Sequence, residues 1–293
     1  MYNKNGGSMK TCLVLEGGGL RGIYTAGVLD ELQKENIKID AIIGVSMGSL
    51  VGINYVSCQP ERTIRYNLKY CKDRRYIGLI SLLKTGNIAN KEFAYYELPN
   101  KLDKFDYDTF KKSPIKFYCV VSNLDTGKAE YIRITDAKKQ AEYLRAGSSM
   151  PGVSRIVNID NNKYLDGGIT DSIPFNKAIE LGYDKIIVIT TRVKEYRKKK
   201  SKNKTLARIY KKYPNFVKAI EKRNENYNKS VEELIKLEDQ KQVFVIRPSS
   251  VIPIKRIEKN KKVIRAQYDL GKKDFKNKKE ELIEYLQKKE GVK

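Results

Sequence analysis

Two short apolar runs, each leading through a glycine-rich turn into helix-period sequence, constrain this chain more than any other feature. Thr11 to Leu15 runs into Glu16-Gly17-Gly18-Gly19-Leu20-Arg21-Gly22 and then a helical stretch from Ile23 to Lys34. Ala41 to Gly44 runs into Gly44-Val45-Ser46-Met47-Gly48, with a second helical stretch from Gly48. Strand, turn, helix, strand, turn, helix is the βαβα pattern of a sheet with helical crossovers. Further strand candidates are Ile115 to Val121, Ala129 to Ile134, Lys163 to Leu165 and Lys185 to Thr190; Pro174 to Leu181 reads as a helix that Gly182 ends. The expectation is an α/β fold of three layers, with a mostly parallel central sheet covered on both faces by helices.

From Lys194 the sequence turns charged, Tyr-rich and helix-prone. Pro214 opens a long helical run to about Gln240, and a second, from Asn260 to Lys289, is expected to be interrupted at Gly271. Between them Val243 to Ile246 reads as a last strand, so the C-terminal part is expected to return to the sheet. We read residues 1–9 as a tail and 10–293 as one domain, with a motif-bearing part, 10–190, and a basic helical part, 191–293. Of the formal charge of +24, +18 falls in 191–293.

The 293 residues contain no His, which excludes an imidazole base and any His-ligated metal. Cys12, Cys58, Cys71 and Cys119 form no CxxC pair and read as reduced thiols of a cytoplasmic protein. No apolar leader is visible at the N-terminus. Ala41 to Gln59 is uncharged throughout, but Gly44, Ser46, Gly48, Ser49, Gly52 and Asn54 break it, so strand, turn and helix fit better than a membrane span. Asp103, Asp106 and Asp108 lack the Gly and terminal Glu of an EF-hand loop and are expected to form a solvated turn. No metal and no cofactor are expected.

The first glycine turn has the form of an anion cradle, since glycines admit close approach and helix-opening N–H groups carry positive partial charge. Gly17, Gly19 and Gly22 also satisfy GxGxxG, but the acidic residue of a dinucleotide site is misplaced: Asp40 precedes the second strand instead of ending it. Gly44-Val45-Ser46-Met47-Gly48 is a GxSxG between strand and helix, the setting of a nucleophile elbow. An elbow serine needs a base. Without His, Tyr164-Leu165-Asp166-Gly167-Gly168 offers a carboxylate at a strand end, followed by a glycine turn.

GGGLRG, GVSMG and DGG, in this order, resemble the patatin-like phospholipase family, which uses a Ser-Asp dyad. The resemblance covers roughly residues 10–190 and implies a patatin-like fold, with Ser46 as nucleophile and Asp166 as base. It also implies Gly17, Gly18, Gly19 and Arg21 as the oxyanion region. Gly22, Gly44, Gly48, Gly167 and Gly168 complete the turns. Gly147 to Gly152 resembles the family's Ser-rich segment and is expected to line the pocket. The implied substrate is a phospholipid or other acyl-ester lipid, and Asp166 is expected to be desolvated so that it can act as a base.

Arg192 to Lys212 holds eleven Lys and Arg against one acid, Glu195, and suits peripheral contact with an anionic membrane as well as it suits a solvated loop. Tyr196, Tyr210 and Tyr213 interleave with these cations, as in single-stranded nucleic-acid binders, but no recognised nucleic-acid motif accompanies them. An acyltransferase with the same dyad, and a silent lipid-binding scaffold, remain the alternatives to a hydrolase.

Overall fold

A computed structural model of the chain describes residues 9–199 and 203–288. Among them one sheet contains β1 Thr11–Leu15, β2 Ala41–Val45, β3 Lys116–Asn123, β4 Ala129–Ile134, β5 Val157–Ile159, β6 Asn162–Asp166, β7 Lys185–Ile189 and β8 Phe244–Ile246. The helices are α1 Ile23–Leu32, α2 Met47–Val56, α3 Arg62–Tyr70, α4 Leu79–Thr85, α5 Tyr107–Lys112, α6 Ala141–Gly147, α7 Phe175–Glu180, α8 Lys204–Ile209, α9 Pro214–Asp239 and α10 Lys261–Gln287. Glu92–Leu102 forms a wide π-helical segment that contains Pro99.

Hydrogen bonding links the strands in the order β5-β6-β3-β2-β1-β7-β8, with β4 attached to β3. The central pairs β3-β2, β2-β1, β1-β7 and β7-β8 are parallel, whereas β4, β5 and β6 pair antiparallel. Every residue of β1, β2, β7 and β8 is buried, as strands covered on both faces must be. Successive side chains point to opposite faces. Leu13, Leu15, Ile42, Ile187 and Ile189 therefore pack with α1, α2 and α10, while Cys12, Val14, Ile43, Ile186 and Val188 pack with α7 and α9. These are the three layers.

The register on β3 positions the site. β2 pairs with β3 up to Val45 opposite Val120, and β6 takes over at the next residue, with Asp166 opposite Val121. β4 already occupies Val121 and Ser122 from the other edge. A strand has only two edges, so β6 must lie on the same edge as β2, and the C-terminal ends of β2 and β6 meet head to head.

The C-terminal part returns to both helical layers. α10 lies along α1, where a methyl group on Gly27 would overlap the carbonyl oxygen of Tyr268 and one on Gly271 would overlap that of Tyr24. Each glycine thus admits the other helix's backbone. Gly271 does not interrupt the helix, as the sequence suggests: α10 is continuous, and the glycine serves the crossing. Asp103 departs from expectation too. Its carboxylate is not in a solvated turn but is largely buried between Arg62, at 3.2 Å, and Arg65, at 2.8 Å. Asp106 caps α5 by accepting from the Thr109 amide, and Asp108 is exposed. Residues 1–8 of the expected tail, together with Lys200, Lys202 and Lys289, lie outside the described residues.

Gly271→Ala tests the crossing. On propensity alone it would stabilise a helix by about 1 kcal/mol. Overpacking against α1 is expected to win, for a net loss of about 1–3 kcal/mol measured by urea denaturation. A variant as stable as the parent would show that the backbones do not need the contact.

Candidate active site

Ser46 is the first residue after β2 and precedes α2. Its backbone sits at φ 54°, ψ −123°, a region that costs a non-glycine residue on the order of 1–3 kcal/mol and persists only where the surroundings enforce it. They do so through close packing: Gly44 lies against the Ser49 backbone and Gly48 against the Leu15 carbonyl, leaving no room for a Cβ at either position. The turn holds the serine side chain above the sheet end, where Ser46 is 8% exposed.

Asp166, 6% exposed, ends β6 and meets Ser46 across the β2-β6 junction. The Ser46 hydroxyl donates to Asp166 Oδ2 at 2.7 Å, and the Gly168 amide donates to Oδ1 at 2.8 Å. Backbone contacts fix the aspartate: its N–H donates to Ser149 O at 2.9 Å, and its carbonyl accepts from Ser122 Oγ at 2.8 Å. Gly167 passes so close to the Val120 carbonyl that no side chain fits. Burial raises the Asp166 pKa above the ordinary carboxylate value, against the Ser46 and Gly168 hydrogen bonds and the charges of Arg223 and Arg256. Arg223, on α9, donates from Nε to Gly168 O at 2.7 Å, so the C-terminal part braces this turn.

The glycine turn after β1 closes on the same point. Gly17 packs against Ser46 and Val45, and Gly22 against Met47. Gly19, at φ 58°, backs onto Arg256, whose carbonyl accepts from the Leu20 amide at 3.0 Å. The amides of Gly18 and Gly19 donate to no protein acceptor among the described residues, which leaves two N–H groups at the start of a helical turn. Glu16 anchors the turn from below: its buried carboxylate accepts from the Thr191 amide and from Tyr227 Oη at 2.9 Å.

Beside this turn the charge is strongly positive. Arg21 Nε is buried near Gly18 without a hydrogen-bond partner, and burial together with Arg192 and Arg256 brings the Arg21 pKa down to about 10, against Glu16. Lys198 turns inward, its Nζ 3.5 Å from the Tyr227 ring centroid. Burial first, then Arg223, Arg256 and Arg21, lower its pKa to about 7. Part of the basic segment is thus internal. The interleaved tyrosines are engaged as well: Tyr196 packs on Tyr227 and Arg192, and Tyr210 is buried on Phe216. Tyr213 lies beneath Lys163. All three rings thus take part in packing within the fold.

Ser46, Gly19 and Arg256 open onto a cavity of about 150 Å³. Its wall is apolar and aromatic: Leu50 and Ile53 from α2, Tyr66 from α3, Ile77 and Ile88, Leu98 from the π-helical segment, and Phe105. Ser148 and Met150 of the Ser-rich segment line it too. The structure brings Asp166 and Gly17 against Ser46 and sets Arg21 beside Gly18; of the six expected residues Ser46 and Gly19 line the cavity. Arg223, Arg256 and Lys198 escape sequence reading because nothing in a Lys-rich C-terminal third distinguishes three cations that face inward. The wall between residues 62 and 107 escapes because its apolar positions follow the wide π-helical spacing and the loop to Phe105. Among the described residues no three potential metal ligands gather.

The family model described as patatin-like phospholipase matches residues 13–179, and one described as a domain of unknown function (DUF6363) matches 213–287. Among curated relatives, the uncharacterized protein YjjU of Escherichia coli is 29% identical over 62% of this chain and 52% of its own length. Lysophospholipase nte1 of Aspergillus niger is 28% identical over 60% of this chain and 11% of its own. The chain thus spans about half of the first and about a tenth of the second. Among solved structures, VipD from Legionella pneumophila aligns at TM-score 0.41 and 13% identity over 94% of this chain and 69% of that one.

Lys198 is expected to titrate near pH 7 in the folded chain, read by NMR of the reductively ¹³C-methylated protein with Lys198→Met for assignment. Because the unfolded lysine holds its proton to about pH 10.4, stability should rise with pH between those values in the parent. Lys198→Met should lose that component. A Lys198 signal that titrates with the surface lysines would place the ammonium in water.

Proposed function

Because the chain belongs to the patatin-like phospholipase family, we propose that it is a lipid acyl hydrolase with Ser46 as nucleophile and Asp166 as base. The observation that carries this reading is the 2.7 Å hydrogen bond to a buried carboxylate from the Oγ of Ser46, a residue that lines an apolar cavity. A carboxylate of ordinary pKa is a weak base at neutral pH; desolvation strengthens it and keeps the acceptor within reach of the hydroxyl proton.

In this mechanism Asp166 takes the Ser46 proton as the oxygen attacks the ester carbonyl of an acyl chain lodged in the cavity. The N–H groups of Gly18 and Gly19 hold the oxyanion, each well-aimed donor being worth about 3 kcal/mol in the transition state. The proton passes from Asp166 to the departing alcohol oxygen. Water then gives a proton to Asp166 and attacks acyl-Ser46; collapse returns the proton to Ser46 and frees the fatty acid. Arg21, beside the oxyanion loop among Arg192, Lys198 and Arg256, favours a substrate with an anionic group near its scissile ester, as a phospholipid has. The exposed cations Lys204, Arg208, Lys211 and Lys212 add long-range attraction to an anionic bilayer. The working unit we propose is residues 10–293, because α10 covers α1 and α9 braces Gly168.

Ser46→Ala and Asp166→Asn are each expected to lower turnover of a short-chain p-nitrophenyl ester by on the order of 10³-fold or more with the circular dichroism spectrum unchanged. A fluorophosphonate should label Ser46 stoichiometrically in the parent only. Activity retained by either variant would refute the dyad. In the parent, kcat/KM should climb with pH as Asp166 loses its proton, with the acid limb above the ordinary carboxylate range. A limb at or below that range would remove the argument from desolvation.

A further inference from the structure

Outside the cavity, α4 presents an apolar face to solvent. Leu79 is 72% exposed, Leu83 85% and Ile80 39%, and at 3.6 residues per turn the three share one face. The opposite side of the helix is pinned: Ser81 is buried and donates from Oγ to Asn87 O at 2.7 Å. The helix is carried on a tight hairpin. Ile77 bridges Ala89, the Gly78 amide donates to Ile88 O at 2.8 Å, and Gly86, at φ 73°, ends the helix by donating to Leu82 O.

The base of that hairpin is the wall of the Ser46 cavity. Ile77 and Ile88 line the cavity and also line the outer groove that contains Leu79 and Ile80. The rim is cationic. Arg74 and Lys259 line the groove, Lys84 lies on α4, and none of these three forms an ion pair among the described residues. No carboxylate occurs between Asp73 and Glu92, and Asp73 is held by Arg75. The loop beyond α4 continues the charge: Arg155 packs on Gly86, and the Gly152 amide donates to Tyr210 Oη, just past α8 with its Lys204 and Arg208.

We propose that α4 is a membrane-docking element, which places Leu79, Ile80 and Leu83 among the acyl chains of an anionic lipid surface with Arg74, Lys84 and Lys259 at the head groups. This rests on the lipid-hydrolase reading and adds where the lipid is met. An aliphatic face with a cationic margin is the pattern of interfacial helices. Charge argues against a second copy as the occupant, because the same cationic margin would face itself across a two-fold interface. Ile77 and Ile88 face both the groove and the Ser46 cavity, so docking through α4 would set the bilayer against the cavity wall.

The test uses the full chain carrying Ser46→Ala, so that vesicles stay intact, and vesicles of phosphatidylcholine with phosphatidylglycerol. Leu79→Ser with Leu83→Ser is expected to lower vesicle partitioning at least tenfold and, on the active background, to leave hydrolysis of a soluble short-chain ester unchanged. The chain contains no Trp, so Leu83→Trp supplies a single tryptophan, excited selectively over the 20 Tyr, whose emission should shift to the blue on adding vesicles. Equal partitioning with and without the leucines, or no shift, would overturn the proposal while soluble-ester turnover still upheld the hydrolase. A dimer in sedimentation that the serine variant dissolves would overturn it too, and assign the face to a second copy. Loss of soluble-ester turnover in Ser46-intact parent protein that still docks would instead refute the catalytic reading alone.

Discussion

The site depends on one edge of β3. That strand pairs with β2 up to Val120 and with β6 from Val121 onward, so two strands far apart in sequence are laid end to end on a common template. The hydrogen bond between Ser46 and Asp166 follows from this junction and not from any contact the two residues could make alone. Register is correspondingly strict. Because side chains alternate along a strand, a one-residue slip of β6 would turn Asp166 to the opposite face and carry its carboxylate away from the serine. Ser122, Ser149 and Gly167 hold the register from three directions, through the Asp166 carbonyl, the Asp166 amide and the close approach to Val120.

The C-terminal part does more than cover the core. It supplies the apolar surface that buries α1 and the phenol that holds Glu16, and also the guanidinium that holds Gly168. It contributes Arg256 to the rim of the cavity and Lys198 to the cation cluster beside the glycine turn. Several like charges in a poorly hydrated site are mutually unfavourable. Glu16 offsets part of this and at the same time ties the glycine turn to α9 and to Thr191. An anionic group bound beside the turn would offset more.

Much of the layout was legible in the residues. Uniformly apolar strands and the two glycine turns announced a parallel sheet with helical crossovers, and β1 and β4 begin and end where the sequence places them. With no histidine in the chain, the base expected beside an elbow serine is a carboxylate, as Asp166 offers at the end of a strand. What was hidden is long-range or depends on unusual local geometry. Gly271 reads as a helix breaker unless the partner helix is known. Asp103 reads as solvated unless Arg62 and Arg65, far back in the chain, are known to converge on it. The cavity wall from 92 to 102 follows neither helical nor strand periodicity as usually counted, and the inward turn of Lys198 is set by Tyr227 on α9.

The crossing of α1 and α10 bears on how the chain acquires its shape during synthesis. Tyr24 and Asp274 are hydrogen-bonded partners 250 positions apart, so the side of α1 that α10 covers stays open until synthesis has passed residue 274. At roughly 5–20 residues per second, that interval lasts on the order of ten seconds or more. Through it, β1 and α1 must be shielded by chaperones or by provisional collapse, and a shortened translation product would present to the cell the surface that α10 later seals.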